Sequence, residues 1–589
     1  MDVPADGDRL LRQVIRYGGG WTTTLAATAL VGAAAELTLP AVLGLAVDAA
    51  LGDSGAGWLA LAGGLLLLIM ATDTLGDLAG GYSTARAVAR LRHHLVRHLL
   101  MLDPRTAARY PVGDLVTRIV GPAADAGQAG VTVVFGLIAL LPPVGSVVAL
   151  TLLEPWLGVT FLLGLVLLAV LMRAFVVDAS AAVAGYQQTQ GVIAGRLLEA
   201  LGGTRTIAAA GTVRQEVERV LDPLPQLRRH GQRTWSTLAR ATTRNASVAP
   251  LSQLSIVAVG GWSVSAGWLT PGQLFAAVQY AALGAGLGAV VATLNRLVRT
   301  RAGARRVQQL LGEPAQPHGR ETLSGGDGTL TLHGVTVLGD GDRPVLDRVD
   351  LCVPGGTTLA VVGRSGAGKS TLAAVAGRLR DPDAGTVLLD GVALPRLSRA
   401  ALRDAIGYGF ERPVLVGDTI ADVLRLGDGT RSPGTGWSPA DLRRATGAAA
   451  IDDFVERLPH GYRTRTADVP MSGGQAQRLG LARALSARRL LILDDATSSV
   501  DTVTEHRMAQ AVTAHLDGRT RLIVTHRAAT AAAADLVAWL DSGRLRASGH
   551  HRDLWADPAY RAIFLPPAET ARVPATPDRP GPPTGQGQP

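Results

Sequence analysis

The chain has 589 residues, of which 47% are apolar and 18% are charged, so it is long enough for about two to four domains and too apolar to be disordered. Its one cysteine, Cys352, excludes an intrachain disulfide and any zinc or iron–sulfur site held by cysteines. The net charge of +9 would suit a nucleic-acid partner, but the distribution of the basic residues argues otherwise.

Long uncharged runs dominate the first half of the chain. The longest, 245–295, contains no Asp, Glu, Lys or Arg. About 20 apolar residues are needed to cross the hydrocarbon core of a bilayer. After a cytoplasmic segment at 1–19, the runs predict six membrane helices, at about 20–48, 57–80, 129–151, 155–177, 245–267 and 272–295.

Arginine predicts the orientation of these helices. The short connections near 49–56, 152–155 and 268–271 contain no basic residue, whereas the long connections 81–125 and 178–244 are rich in Arg. By the positive-inside rule, both termini and both long connections are cytoplasmic. The basic charge therefore faces anionic lipid headgroups and the cytosol, and a nucleic-acid partner is not expected.

Acidic residues interrupt the predicted spans: Glu36 lies mid-span in the first, and Asp73 and Asp77 lie on one face of the second. Ionisable residues inside a membrane are costly, which makes a functional role the default hypothesis. We expect Glu36 and Asp73 to line the path of a cationic substrate. The alternative is an ion pair or a group at the wet end of a helix.

Charge returns after residue 297, and 312–328 has the composition of a linker. From about 329, short β-rich runs alternate with helical stretches, which is typical of an α/β domain. Cys352 lies in one of the apolar runs and is expected to be a small core residue.

A glycine-rich loop follows the predicted buried strand 358–362 and precedes a helical stretch. Its residues are Gly363, Arg364, Ser365, Gly366, Ala367, Gly368, Lys369, Ser370 and Thr371. This is the G-x-x-x-x-G-K-[ST] pattern in its strand–loop–helix context, and it predicts a phosphate-binding loop. The backbone N–H groups wrap the phosphates, Lys369 reaches the β- and γ-phosphates, and the Ser370 hydroxyl binds Mg²⁺. Lys369 is the only lysine of the chain, at the one place where a compact ammonium is required.

A second apolar run, 490–493, ends in Asp494, the carboxylate expected on the metal side of a P-loop NTPase. Shortly before it stands the sequence Ser472, Gly473, Gly474 and Gln475. With these motifs, the second half resembles the ATPase domain of ABC transporters. The first half resembles the six-helix transmembrane domain of the exporter type.

The resemblance covers residues 10–565 and has specific consequences. It implies an all-α six-helix transmembrane domain over 20–311 with two cytoplasmic coupling loops, followed by the linker 312–328 and an α/β P-loop NTPase domain over 329–565. It implies ATP and Mg²⁺ as ligands, with Ser370 and Asp494 on the metal side. It also implies a D-loop at Asp501 and a switch histidine at His526. Residues 566–589, with eight prolines, are expected to be a disordered tail.

The resemblance further implies a dimer that sandwiches each ATP between the P-loop of one chain and the S-G-G-Q motif of the other. A lipid membrane is the second partner. The implied activity is ATP hydrolysis coupled to export of a small molecule, lipid or peptide that the sequence does not identify. Two alternatives stay open: a membrane subunit that binds ATP without pumping, and a soluble-type ABC ATPase without transport.

Three features of the ATP site built on this chain's own P-loop depart from the family pattern. Asp495 stands where a catalytic Glu is usual, which places the carboxylate about 1 Å back, and such a displacement can cost about 100-fold in rate. Glu411 occupies the position of the Q-loop glutamine. No Phe, Trp or Tyr lies between Leu330 and Val349 to stack on adenine.

The signature motif and His526 are intact, so the changes affect only one of the two sites to which this chain contributes. We expect Asp495, Glu411 and His526 to act in a slow site, and the partner to be a different half-transporter that carries the Glu. A homodimer with Asp495 as a weaker base is the alternative. The preference for Arg over Lys, as GC-rich coding produces, predicts a bacterial protein of the plasma (inner) membrane.

Overall fold

A computed structural model describes residues 4–52, 56–284, 287–426, 437–486, 488–496 and 518–564. The chain divides into two compact units. The first comprises Met1–Met101 and Tyr110–Pro314, and the second comprises Leu102–Arg109 and Ala315–Pro589. The short segment Leu102–Arg109 lies inside the predicted transmembrane domain, yet it groups with the second unit, where Leu102 forms a β-bridge with Ala315.

The first unit is helical throughout its described part. In chain order the helices are α1 (Pro4–Gly18), α2 (Gly20–Leu51), α3 (Ala56–Leu99), α4 (Pro104–Ala108, of the second unit), α5 (Val112–Gly127), α6 (Ala129–Ile138), α7 (Leu141–Leu153), α8 (Pro155–Gly202), α9 (Thr204–Ala210), α10 (Val213–Leu221), α11 (Leu224–Ser265), α12 (Pro271–Gly284) and α13 (Leu287–Leu311). Helices α3, α8 and α11 extend well beyond the uncharged runs into the Arg-rich connections.

Within the predicted membrane helix 129–151 the structure has two consecutive helices, which belong to one apolar segment, Val112–Leu153. α6 ends at Ile138 and α7 begins at Leu141. Pro142 and Pro143 occupy the first turn of α7, where a missing backbone N–H costs nothing, but neither residue could continue the hydrogen bonds of α6.

Three segments are long and apolar enough to cross a membrane among the residues that the structure describes: Gly20–Leu51, Gly57–Leu99 and Val112–Leu153. A shorter apolar helical stretch, Pro155–Leu167, begins α8. Large apolar side chains are exposed along these segments, including Leu67, Met70 and Leu163. Such exposure is expected where lipid replaces water around a helix.

Helices α2 and α12 approach each other closely at two glycines. A Cβ atom on Gly272 would lie 2.1 Å from the carbonyl oxygen of Gly44, so no larger residue fits without moving the backbone. Asp48 fastens the same contact, because it accepts hydrogen bonds from Gly272 N (2.8 Å) and Thr270 Oγ1 (2.5 Å) at the start of α12. Small residues at such crossings allow close backbone packing between membrane helices.

The second unit contains two sheets. The strands are β1 (Leu330–Leu338), β2 (Pro344–Val353), β3 (Thr358–Val362), β4 (Ala384–Leu389), β5 (Val392–Ala393), β6 (Ile406–Phe410), β7 (Leu490–Asp494), β8 (Thr520–Val524), β9 (Leu536–Asp541) and β10 (Arg544–Gly549). A four-stranded antiparallel sheet has the order β2-β1-β4-β5, and a six-stranded sheet has the order β10-β9-β3-β8-β7-β6. In the larger sheet only β10 is antiparallel to its neighbour.

Helices cover these sheets and form a smaller helical region. They are α14 (Lys369–Ala376), α15 (Arg399–Ala405), α16 (Ile420–Leu424), α17 (Pro439–Ala448), α18 (Asp452–Glu456), α19 (Gly473–Ala484), α20 (Ala528–Ala532), α21 (His551–Leu554) and α22 (Pro558–Arg561). One hydrophobic core lies between the sheets and α14, and a second joins α16, α17 and α19 to one face of β7. β3, β8, β7 and β6 run parallel, so the loops that follow them meet at one edge.

Cys352 does not lie in the core, so that prediction is wrong. β2 alternates between the two faces of its sheet, with Leu351 and Val353 buried and Cys352 exposed between them. Because the residues around Cys352 are mostly apolar, the sequence did not show that alternate side chains of this strand point to opposite faces of the sheet.

Candidate functional site

The predicted phosphate-binding loop connects β3 to α14 at the carboxyl edge of the larger sheet. Gly363 to Gly368 form the turn, and Lys369, Ser370 and Thr371 open the helix. Gly366 and Gly368 have φ values of 81° and 98°, which glycine adopts without strain. A Cβ atom on Gly368 would lie 2.8 Å from the carbonyl oxygen of Val345, whereas the space beside Gly366 is open. Exposed backbone at the start of a helix suits an anionic group.

The ammonium of Lys369 lies over this loop. Its Nζ donates hydrogen bonds to the carbonyl oxygens of Gly363 (2.9 Å) and Arg364 (3.1 Å). Burial lowers the pKa of Lys369, while the charges of Asp495 and Asp494 act in the opposite direction. The position therefore brings one cation and two carboxylates together at the loop.

Asp494 ends β7 beside the first turn of α14. Ser370 Oγ donates a hydrogen bond to its Oδ1 (2.9 Å), and the Tyr408 hydroxyl donates one to its Oδ2 (3.3 Å). Burial raises the pKa of Asp494 most, the bonds from Ser370 and Tyr408 lower it, and the charges of Asp495 and Glu411 raise it further. A hydroxyl and a carboxylate in contact are the oxygen ligands that Mg²⁺ prefers, so these residues fit the expected metal.

Asp495 follows at a position with unusual backbone geometry. Its φ is +48°, in the left-handed region. Its N–H points to Val524 O (3.4 Å), and its Oδ1 lies 3.2 Å from Nδ1 of His526, which follows β8. The carbonyl oxygen of Asp495 accepts a hydrogen bond from Nε2 of Gln477 in α19 (3.1 Å).

Glu411 and the segment near Val337 lie at the margins of this cluster. Glu411 follows β6, whose last residue, Phe410, pairs with Asp494, and its side chain is 54% exposed beside Arg412. Val337 is fully buried and points into the core, and Leu338 N donates to Asp383 Oδ2 (2.7 Å). The β1 segment therefore offers no aromatic ring to a base.

The predicted signature motif forms the start of α19. Ser472 and Gln475 make a reciprocal capping box, in which Gln475 N donates to Ser472 Oγ (3.2 Å) and Ser472 N donates to Gln475 Oε1 (2.8 Å). Both side chains thus satisfy backbone groups of the first turn. Ser472 and Gly473 are exposed, Gly474 is half-buried, and the space beside Gly473 is open, so backbone N–H groups at this end of α19 are accessible.

The structure brings Lys369, Ser370, Asp494, Asp495 and His526 together at one edge of the sheet. Other predicted site residues are elsewhere: Ser472 to Gln475 lie on α19, Glu36 and Asp73 lie in the first unit on α2 and α3, and Asp501 lies outside the described residues.

Sequence reasoning missed Tyr408 and Gln477, which contact the two acidic residues. The signal for Tyr408 was a hydroxyl in the strand just before Glu411. The signal for Gln477 was a second glutamine in the apolar stretch after the signature.

Comparison with known proteins decides the family. A profile of the ABC transporter family matches residues 346–498, and a profile of the ABC transporter transmembrane region matches residues 23–285. The chain is 47% identical over 535 residues to the ABC transporter ATP-binding protein RamA of Streptomyces coelicolor. The alignment covers 90% of this chain and 83% of RamA.

The chain belongs to the ABC transporter family. It has an N-terminal transmembrane domain fused to an ABC ATPase domain, and such a domain binds ATP and couples its hydrolysis to transport. The match to the transmembrane region excludes the soluble-type ABC ATPase considered above.

Two further comparisons agree with an exporter. The chain is 31% identical over 579 residues to an ATP-dependent lipid A-core flippase of Dechloromonas aromatica, covering 94% of this chain and 96% of the flippase. Its fold is similar to that of a bacterial Atm1-family ABC exporter with ATP bound, with a TM-score of 0.77, 25% sequence identity, and coverage of 93% of this chain and 98% of that one. The chain is therefore a membrane-spanning ABC exporter with bacterial homologues.

Proposed function

We propose that this ABC exporter chain is a half-transporter whose own ATP site hydrolyses slowly, and that it works with a different partner chain whose site is fast. The observation that carries the proposal is the contrast within one cluster. Lys369, Ser370 and Asp494 are arranged for phosphate and metal, whereas the next residue offers only the short carboxylate of Asp495.

In this proposal each residue has a defined task. The loop N–H groups and Lys369 hold the β- and γ-phosphates of ATP. Ser370 and Asp494 would hold Mg²⁺, which neutralises charge on the phosphates. Asp495 accepts a proton from the attacking water, and His526, within 3.2 Å of its carboxylate, orients it. Glu411 adds negative charge near Asp494, which further weakens the site.

The signature residues would serve the second ATP of the dimer. Ser472, Gly473, Gly474 and Gln475 open α19 with an accessible helix N-terminus, which suits the phosphates of an ATP bound to the partner chain. We propose that this second site carries most of the turnover, because the signature is intact here and the partner would supply the Glu. Asp501 would act in the D-loop between the two sites.

In the membrane, we propose six spans with both termini in the cytoplasm. The long cytoplasmic parts of α3, α8 and α11 would carry the coupling segments to the ATPase domains. Glu36 and Asp73 would line the substrate path, since ionisable residues inside membrane helices are costly and usually have a function. Acidic side chains on the path favour a cationic cargo, and Glu36→Gln is expected to change the substrate profile.

The test of this proposal is Mg²⁺-dependent ATPase activity of the purified chain in proteoliposomes, alone and with candidate partner half-transporters. We expect slow Lys369-dependent turnover of the chain alone and an increase of at least tenfold with the right partner. The Lys369→Ala variant reports background. Fast turnover of the chain alone, abolished by Asp495→Ala, would show instead that a homodimer with Asp495 as base is sufficient.

A second candidate is a membrane subunit that binds ATP without pumping, which the short Asp495 carboxylate also allows. The same proteoliposomes separate the two. ATP binding that depends on Lys369, without hydrolysis or transport in any combination of partners, would support the non-pumping subunit.

A further inference from the structure

Gln477 is a buried amide in a mostly apolar part of α19. Only 1% of the residue is exposed, and its helix neighbours Leu479 and Leu481 belong to the hydrophobic core around α16 and α17. Burying a side-chain amide costs free energy unless it finds hydrogen-bond partners. A Leu or Met would fill the same volume without that cost, so the hydrogen bond that Gln477 donates to Asp495 O, at 3.1 Å, needs a functional explanation.

The acceptor of this bond has a strained backbone. Asp495 has a φ of +48°, which a non-glycine residue keeps only where the surroundings impose it. The contacts that hold the backbone in the described structure come from two sides, from Val524 O to the amide of Asp495 and from Gln477 to its carbonyl oxygen. The side chain is thereby directed toward His526, and its charge acts on Lys369.

The same helix begins with the signature motif. The capping box of Ser472 and Gln475 fixes its first turn, and Gln477 lies two residues further on. A short rigid element therefore connects the predicted contact with the partner's ATP to the backbone of the residue that faces this chain's own ATP. This connection rests on the dimer described under the proposed function.

We infer that Gln477 is a positioning residue, which holds the backbone of Asp495 in the left-handed conformation and ties it to the signature helix. Loss of its N–H donor leaves Lys369, Ser370 and the phosphate-binding loop in place. It therefore slows the chemical step at this chain's site and leaves nucleotide binding there unchanged.

The test compares Gln477→Met, which keeps the volume but removes the donor, with Leu479→Met, a volume-conserving change on the same helix that removes no hydrogen bond. Each full-length variant is reconstituted in nanodiscs. Single-turnover hydrolysis, with protein in excess of radiolabelled ATP, resolves even a slow site. Equilibrium binding of the fluorescent analogue TNP-ATP gives the Kd. Both measurements are also made in an Asp495→Glu background, whose longer carboxylate gives a larger signal.

We expect Gln477→Met to lower the single-turnover rate constant about tenfold in both backgrounds, as for one lost hydrogen bond, without changing the Kd for TNP-ATP. Leu479→Met should match its parent in both measurements. The inference is overturned if Gln477→Met hydrolyses at the parent rate, or if its Kd rises in proportion to the loss of rate, which would indicate general disruption.

Different experimental results would show that the proposed function itself is wrong. Hydrolysis and TNP-ATP binding that do not depend on Lys369 in the parent chain would refute the proposed site itself. Lys369-dependent binding without single-turnover hydrolysis in either background would refute slow hydrolysis at this site and, with it, the role of Gln477, because a carboxylate that does not act needs no positioning.

Discussion

At the scale of the residue, the backbone conformation at position 495 affects whether Asp or Glu fits there. Its φ of +48° lies in a region that Asp and Asn adopt several times more often than other non-glycine residues. Glu at the same position would reach about one methylene further toward the nucleotide, but it would fit the backbone less well. Asp therefore tolerates this strained backbone better than Glu would, but its carboxylate lies further from the nucleotide.

Asp495→Glu is expected to raise the ATP turnover of the reconstituted chain by up to about 100-fold, because it restores the reach of the carboxylate. Because Glu fits the left-handed backbone less well than Asp does, the free energy of unfolding of the variant should be lower than that of the parent by about 1 kcal/mol or less. Steady-state ATPase and thermal unfolding measure the two effects. Asp495→Asn is the control, since it fits the same backbone and cannot accept the proton. If Asp495→Glu and the parent turn over equally, the length of this side chain does not limit the site.

The pH dependence of the metal requirement follows from Asp494. Burial raises the pKa of this carboxyl above its usual range, and the hydrogen bond from Tyr408 partly opposes that effect. Because Mg²⁺ competes with the proton for the carboxylate, the Mg²⁺ concentration for half-maximal ATPase should rise as the pH falls toward this raised pKa. The rise should begin at a higher pH than it would for an ordinary Asp.

Tyr408→Phe tests this assignment. Losing the hydroxyl removes a bond that lowers the pKa of Asp494, so the increase in Mg²⁺ requirement should begin at a still higher pH. Tyr462→Phe removes a hydroxyl that instead contacts Thr446, and it should leave the pH profile unchanged. Identical Mg²⁺ profiles for Tyr408→Phe and the parent between pH 5 and about 8 would contradict the role of Tyr408.

At the scale of the element, the crossing of α2 and α12 depends on two glycines and one carboxylate. Gly272→Ala would place a Cβ atom 2.1 Å from Gly44 O and 2.6 Å from Cγ of Asp48. The helices must separate, and the hydrogen bonds of Asp48 lengthen with them. We expect a loss of about 1–3 kcal/mol in the free energy of unfolding, the usual cost of overpacking. Thermal unfolding of the detergent-solubilised chain measures it.

Gly64→Ala is the matched control for this substitution. Gly64 lies in the apolar part of α3 with no heavy atom within 4 Å of an added Cβ, so the change should be neutral or slightly stabilising through helix propensity. Equal melting temperatures for Gly272→Ala and Gly64→Ala would show that the α2–α12 crossing tolerates separation and that its close approach has no energetic importance.

The elements themselves followed from local sequence more readily than their contacts did. Uncharged runs predicted the positions of the apolar helices, because length and hydropathy are local properties. The break before α7 depended on a proline pair inside an apolar run, where the run hid the stop signal. The exposed side of Cys352 depended on strand alternation in a short apolar stretch, which period alone does not distinguish from a core strand.

The site shows the same division. Lys369, Ser370 and Asp494 belong to sequence motifs that predict that these three residues lie close together. The bonds of Tyr408 to Asp494 and of Gln477 to Asp495 join residues 86 and 18 positions apart, across a sheet and between a helix and a strand end. Such contacts depend on the register of β6 against β7 and on the packing of α19, which no single motif specifies.

At the scale of the whole molecule, the proposal of unlike partners predicts an asymmetry between two substitutions in this one chain. Lys369→Ala removes the phosphate grip at this chain's own slow site. Ser472→Ala removes the capping hydroxyl of the signature, which would serve the partner's fast site. In a heterodimer with one fast site, Lys369→Ala should retain a substantial fraction of turnover, whereas Ser472→Ala should lose at least about tenfold, of the order seen when a positioned hydrogen bond is removed.

The measurement is steady-state ATPase of purified dimers, each carrying one substituted copy of this chain and an unaltered partner, at saturating Mg²⁺ and ATP. Gly64→Ala again serves as the neutral control, because it lies far along the sequence from both motifs and adds no clash. A homodimer makes the opposite prediction. In a homodimer both copies carry the substitution, so every site loses its P-loop lysine or its signature serine, and Lys369→Ala and Ser472→Ala must both abolish turnover. That result, with no partner chain recovered in the purified transporter, would contradict the heterodimer and leave Asp495 as the base of two equal, slow sites.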